Sequence, residues 1–255
     1  MRTLGTILFV GATLCAPLSI PAWAEDPADC RVAENLLEIN FPLPKVAKAI
    51  TDKKLKVLVM GAGSSTLPGP NGQRNAYPAR LQNALKEKLP GVATTVVADV
   101  KLRSTAGEMV DEMPVALAAN KPALVVWQTG TVDAMLGVDP DNFSAAVTKG
   151  VETVHAAGAD IILINSQYSP RTDSMIALGS YLDDMRWVAL QQGVPLFDRF
   201  AIMKLWTELN TFDFHSAPNK LDIAERVHDC MGRLLASLMI EATRSAEPLP
   251  ISGSR

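Results

Sequence analysis

Four short apolar runs punctuate the chain: Lys56–Met60, Thr94–Ala98, Ala123–Trp127 and Asp160–Asn165. Each is nearly continuous in apolar residues rather than alternating, the pattern of parallel strands covered on both faces. Pro195–Asp198 is a shorter fifth candidate. Between the runs lie stretches with helical spacing of apolar positions, at Tyr77–Leu89, Thr105–Leu117, Phe143–Ala157 and Met175–Gln192, and Leu221–Ala242 closes the chain as a long amphipathic helix. Gly91, Gly158 and Gly193 stand just past three of these segments, where a helix end favours positive φ. Strand–helix alternation implies right-handed crossovers, so the expected architecture is a three-layer α/β/α sandwich around a parallel sheet of about five strands.

The ends read differently. Arg2 precedes an uncharged apolar stretch from Leu4 to Ile20, and Ala22-Trp-Ala24 follows with small–x–small spacing. That is the layout of a secretory signal peptide cleaved after Ala24, and the stretch is too short for a stable membrane span. Cys15 invites a lipoprotein reading, but Ala12 stands where a lipobox has leucine. The expected organisation is a signal peptide over 1–24, an N-terminal arm with a helix broken around Pro42 and Pro44 over 25–55, one domain over 56–246 and a flexible tail over 247–255. The chain is therefore expected to be periplasmic or secreted.

A net charge of −3 with no basic stripe argues against nucleic acid as a partner. No other stretch is apolar enough to span a bilayer. Cys30 and Cys230 remain once the leader is removed, and an even pair in an oxidising compartment reads as one disulfide. Two separately buried thiols are the alternative. No histidine, cysteine or carboxylate cluster has metal-ligand spacing, and no cofactor is expected.

In parallel sheets ligands sit outside the carboxyl ends of the strands, so the loops that follow them carry the chemistry. After the first strand comes Gly61-Ala-Gly-Ser-Ser-Thr66, then Tyr77-Pro-Ala-Arg-Leu81. A serine on a glycine turn directly after a buried strand suits a nucleophile beside backbone N–H groups, although a phosphate cradle or a plain turn fits as well. Trp127-Gln-Thr-Gly-Thr-Val-Asp-Ala134 follows the third strand and Gln167-Tyr-Ser-Pro-Arg171 the fourth, with Val194–Ala201 further on. Together these segments resemble a bacterial secreted branch of the SGNH/GDSL hydrolases, over nearly the whole chain from Cys30 to the last helix.

The resemblance implies a flavodoxin-like SGNH-hydrolase fold and places Ser64 at the nucleophile, with Gly63, Ser65 and Thr66 around it. The other catalytic blocks depart from the family. The oxyanion glycine after strand two is replaced by Val100-Lys-Leu-Arg103. Gly130-Thr131-Val132-Asp133 has valine where the family has a donor asparagine, a loss that typically costs 10²–10³ in rate. The Asp-x-x-His motif falls on Asn219-Lys-Leu-Asp222. An ordinary aspartate, with a pKa near 4, is a poor base for serine at neutral pH.

Two readings of Ser64 follow: a nucleophile, or a cap for the segment after it, which the missing partners favour. His215, with Asp213 two residues earlier on the same face of an extended strand, is the runner-up base. His155 and His228 read as half-exposed helical residues. Lys101 or Arg103 pairing with Asp222 would plug the old cleft or leave a polar site, while Gln167, Tyr168 and Arg171 shape a groove or anchor their loop. Gly130 and Thr131 complete the candidate binding residues. The leading functional reading is an exported non-catalytic ligand-binding or accessory protein for a glycan, acyl or lipid-like ligand. The alternatives are an active carboxylic-ester hydrolase or carbohydrate deacetylase using Ser64, and a structural subunit of a periplasmic complex with a protein partner.

Overall fold

A computed structural model describes residues 30–38, 40–215 and 220–244. The expected signal peptide with its cleavage site, Asn219 and the expected flexible tail lie outside those residues. Five strands, β1 (Lys54–Gly61), β2 (Ala93–Val100), β3 (Leu124–Gln128), β4 (Asp160–Ile164) and β5 (Leu196–Phe197), form one parallel sheet in the order β2-β1-β3-β4-β5. Every residue of β3 and β4 is buried, as the unbroken apolar runs require, whereas β2 at the edge is half open to solvent.

The helices are α1 (Pro44–Thr51), α2 (Gly72–Asn75), α3 (Tyr77–Lys88), α4 (Ala106–Asn120), α5 (Thr131–Leu136), α6 (Pro140–Ala156), α7 (Pro170–Met175), α8 (Gly179–Gln192), α9 (Arg199–Glu208) and α10 (Lys220–Arg244). One core unites a sheet face with α1, α3, α9 and α10, and the other packs α4, α6 and α8 on the opposite face. The expected three-layer sandwich is therefore the observed fold.

Local sequence explains the joints. Thr105 and Glu108 close a reciprocal capping box at the start of α4. Gly232 lets α10 lie directly on α3, because a Cβ there would come within 2.6 Å of the Leu81 backbone nitrogen. Cys30 and Cys230 form a disulfide across 200 residues, tying the N-terminal arm to α10. On the loop-entropy account such a closure contributes about 5 kcal/mol. Trp206 adds a second tie, its indole N–H donating to the Arg31 carbonyl at 3.1 Å.

Three departures from the sequence-based expectation have physical causes. Pro44 starts α1 rather than breaking a helix, since its missing N–H costs nothing in a first turn. The segment 175–192 is not one helix: Ile176 is extended and α8 begins at Gly179. Beyond β5 the chain turns at once into α9, which the pattern did not suggest, with Asp198 accepting from the Ala201 N–H at 2.9 Å.

Candidate functional site

The strand order reverses at β1, whose chain continues to β2 on one side while β3 lies on the other. The crevice above the carboxyl ends of β1 and β3 is thus the topological switch point, where such sheets bind ligands. Both strand ends deliver polar side chains there. The turn Gly63–Ser65 follows β1, and Gln128 is the last residue of β3. Gly61 makes room for that turn, because a Cβ would sit 2.0 Å from the Ser65 hydroxyl.

Ser65 is buried; its hydroxyl donates to Gln128 Oε1 at 2.8 Å and accepts from the Tyr77 hydroxyl at 3.3 Å. Burial pushes the Tyr77 pKa up to about 12, so this phenol stays protonated. Arg199, the first residue of α9, lies beneath the same turn with 1% of its surface exposed. Its Nη1 donates to the Ser64 carbonyl at 3.0 Å and to Gln128 Oε1 at 3.1 Å, and its Nη2 donates to Gln167 Oε1 at 3.2 Å.

That network fixes the polarity at Ser64. A guanidinium only donates, so the side of the Gln128 amide facing Arg199 and Ser65 is the oxygen. The amide nitrogen is left facing Ser64, and Gln128 Nε2 donates to the Ser64 Oγ. Among the described residues the Ser64 hydroxyl meets this donor and no histidine or carboxylate, and no backbone N–H of the following segment bonds to it, so the capping expected as the alternative is not seen there.

The candidate bases stand elsewhere. His215 is exposed, and the chain bends at 213–215 instead of running extended. The Asp213 carboxylate accepts the His215 backbone N–H at 2.9 Å, so it binds main chain and does not share a strand face with the imidazole. His228 is the residue the sequence undersold. It is 4% exposed, lines the cavity beside Ser64, and accepts the Tyr77 backbone N–H at its Nδ1 at 3.0 Å. Burial, and then the Arg199 charge, hold its pKa down to about 3. A neutral ring accepting at Nδ1 carries its proton on Nε2, so His228 is a hydrogen-bond donor to the cavity and not a proton acceptor.

A cavity of about 450 Å³ opens over this floor, within the size range of small-molecule sites. It brings together Gly63, Ser64, Thr66, Gln167, Tyr168, Arg171 and Asp213 of the sequence-derived candidates, with Arg199 and His228 added. The others are not part of its lining. Asp222 faces a different groove with Arg80, Arg226 and Asp229, and Lys101 pairs instead with Asp99 and Glu112, so the expected Lys101–Asp222 plug does not form. Arg103 is exposed with φ +62°, a left-handed backbone, and is not part of the cavity lining.

Gly130 takes φ +99° to start α5, and Val132 packs into the second core. Asp133 is structural: its carboxylate accepts the Ala106 N–H at 2.9 Å, pinning the start of α4, and burial raises its pKa. Among the described residues no group of histidine, cysteine and carboxylate side chains is placed to hold a metal ion, and no helix is long and apolar enough to cross a membrane.

Solved structures with the same fold include TesA, 22% identical over 72% of this chain and 99% of that one, with a TM-score of 0.56. An acetylxylan esterase from Geobacillus stearothermophilus is 17% identical over 74% of this chain and 94% of its own, with a TM-score of 0.55. A two-domain esterase active on acetylated mannans is 13% identical over 84% of this chain and 59% of its own, with a TM-score of 0.65. At these identities the likeness establishes the fold. Among curated proteins none matches the chain. Residues 29–245 match the sequence signature of the non-GDSL lipase-like family, and the chain belongs to that family, within the SGNH/GDSL-hydrolase fold that its loops resemble.

Proposed function

We propose that this chain is a non-catalytic ligand-binding protein on an SGNH-hydrolase scaffold, acting outside the cytoplasm on a glycan, acyl or lipid-like ligand. One observation carries the reading: an amide N–H, its orientation fixed by Arg199, donates to the Ser64 hydroxyl where an esterase needs a base. His228, neutral and with its one acceptor nitrogen already taken by the Tyr77 N–H, offers no substitute. The Cys30–Cys230 disulfide and the leader-like first 24 residues support export. The glycan and acyl classes rest on the esterases of similar fold, two of which are named for acetylated mannan and acetylxylan.

Turnover of p-nitrophenyl acetate and butyrate tests the reading. Purified protein is expected to match its own Ser64→Ala variant at the buffer rate. Saturable turnover that disappears in Ser64→Ala would instead establish a serine ester hydrolase.

A further inference from the structure

Among the described residues Arg199 is a buried cation with no carboxylate paired to it. Of its five N–H donors, three are used, and their acceptors are the Ser64 carbonyl, Gln128 and Gln167, all neutral. Its Nε–H is buried with no partner at all, and one N–H of Nη2 is spare. Burying a charge without a counter-ion is costly, and buried charges in folded proteins are as a rule paired. Here the guanidinium borders a cavity, and the cavity is cationic although the chain as a whole is acidic. Arg171 and Lys220 line it with Arg199, against the single carboxylate of Asp213. His228 and Ser64 add neutral groups able to donate. The lining also carries apolar side chains, Leu67, Met203, Phe214 and Ile223.

We propose that the cavity binds an organic carboxylate with an apolar body. Its carboxylate would sit at the Arg199–Gln167 edge and its chain against Met203, Phe214 and Ile223. This inference rests on the non-catalytic binding reading above and names the ligand class of the same site. A carboxylate matches the planar donor fork of arginine and supplies the missing charge. The Gln167 amide, on the partly exposed loop after β4, holds the place of that acceptor until the ligand arrives.

Calorimetric titration of the full mature chain with octanoate, octanamide and glucuronate at neutral pH tests the proposal. Octanoate is expected to bind at least tenfold more tightly than octanamide, which has the same body without charge, and more tightly than glucuronate, which has the charge without the apolar body. Arg199→Met is expected to abolish the advantage over octanamide. Arg171→Ala, at an exposed site, is expected to weaken octanoate severalfold while sparing octanamide. Equal affinities for octanoate and octanamide in the unmutated protein, no binding of either, or a preference for glucuronate would each overturn the proposal. The two readings fail separately: ester turnover would sink the non-catalytic claim and leave a measured octanoate preference standing.

Discussion

The two ends of the sheet treat buried polar groups in opposite ways. At the amino end Asp160, the first residue of β4, is 7% exposed, and its carboxylate accepts the Lys45 and Val46 backbone N–H groups at 2.8 and 2.9 Å. Those are first-turn donors of α1, which no helical carbonyl reaches, so charge and helix start satisfy each other. At the carboxyl end Arg199 meets only neutral oxygens and keeps donors unspent, and His228 is held neutral with its remaining proton toward a cavity. Burial alone does not separate architecture from site, because both ends are buried. What distinguishes Arg199 from Asp160 is a buried charge with a donor left unspent beside a cavity.

The largest expected effect comes from His228. Unfolded, the imidazole titrates near 6.5; folded, it does so at about 3, so between these values the unfolded chain binds the extra proton. Its contribution to stability is complete above pH 6.5 and is lost as the pH falls toward 3, at up to about 1.4 kcal/mol per pH unit. Urea midpoints should therefore show the unmutated protein losing about 3 kcal/mol more by pH 4 than His228→Asn, which can still accept the Tyr77 N–H. Parallel acid branches would show that the ring is not held neutral.

Next is Asp160→Ala, which strips two donors of their charged acceptor at the start of α1 and should cost about 2 kcal/mol in urea unfolding. Arg199→Met should cost least, within about 1 kcal/mol of the parent, because removing a charge without a counter-ion offsets the three lost hydrogen bonds. If Arg199→Met were as damaging as Asp160→Ala, the guanidinium would be a structural pillar like the carboxylate, and the contrast between the two ends would dissolve.

Much of this was legible along the chain. The unbroken apolar runs gave β1, β3 and β4, and Gly91, Gly158 and Gly193 do take positive φ, at +88°, +80° and +64°. The cysteine count anticipated the disulfide, and the serine turn lies at the switch point. The floor of the site was harder to see because its residues meet only through the fold: Arg199 reaches the Ser64 carbonyl across 135 positions and Gln128 across 71. Along the chain Arg199 merely follows a short strand, with no apolar pattern to mark it as buried. Its burial is set by α9, and Asp198 as a capping residue was the available hint. His228 did carry a usable signal, since it lies on a stripe with Met231, Leu235 and Leu238, all buried on α10. The Asp213–His215 pairing failed because two-residue spacing aligns side chains only in an extended strand, and the chain bends there.

Reactivity of the Ser64 hydroxyl is the most direct measure of the whole account. Incubation with an alkyl fluorophosphonate followed by intact-mass analysis reports on base and oxyanion support together, without reference to any natural substrate. The expected spectrum shows the unmodified mass, indistinguishable from that of Ser64→Ala under the same treatment. A stoichiometric adduct mapped to Ser64 and absent from Ser64→Ala would mean that some group does activate this alcohol, and the non-catalytic account would be contradicted.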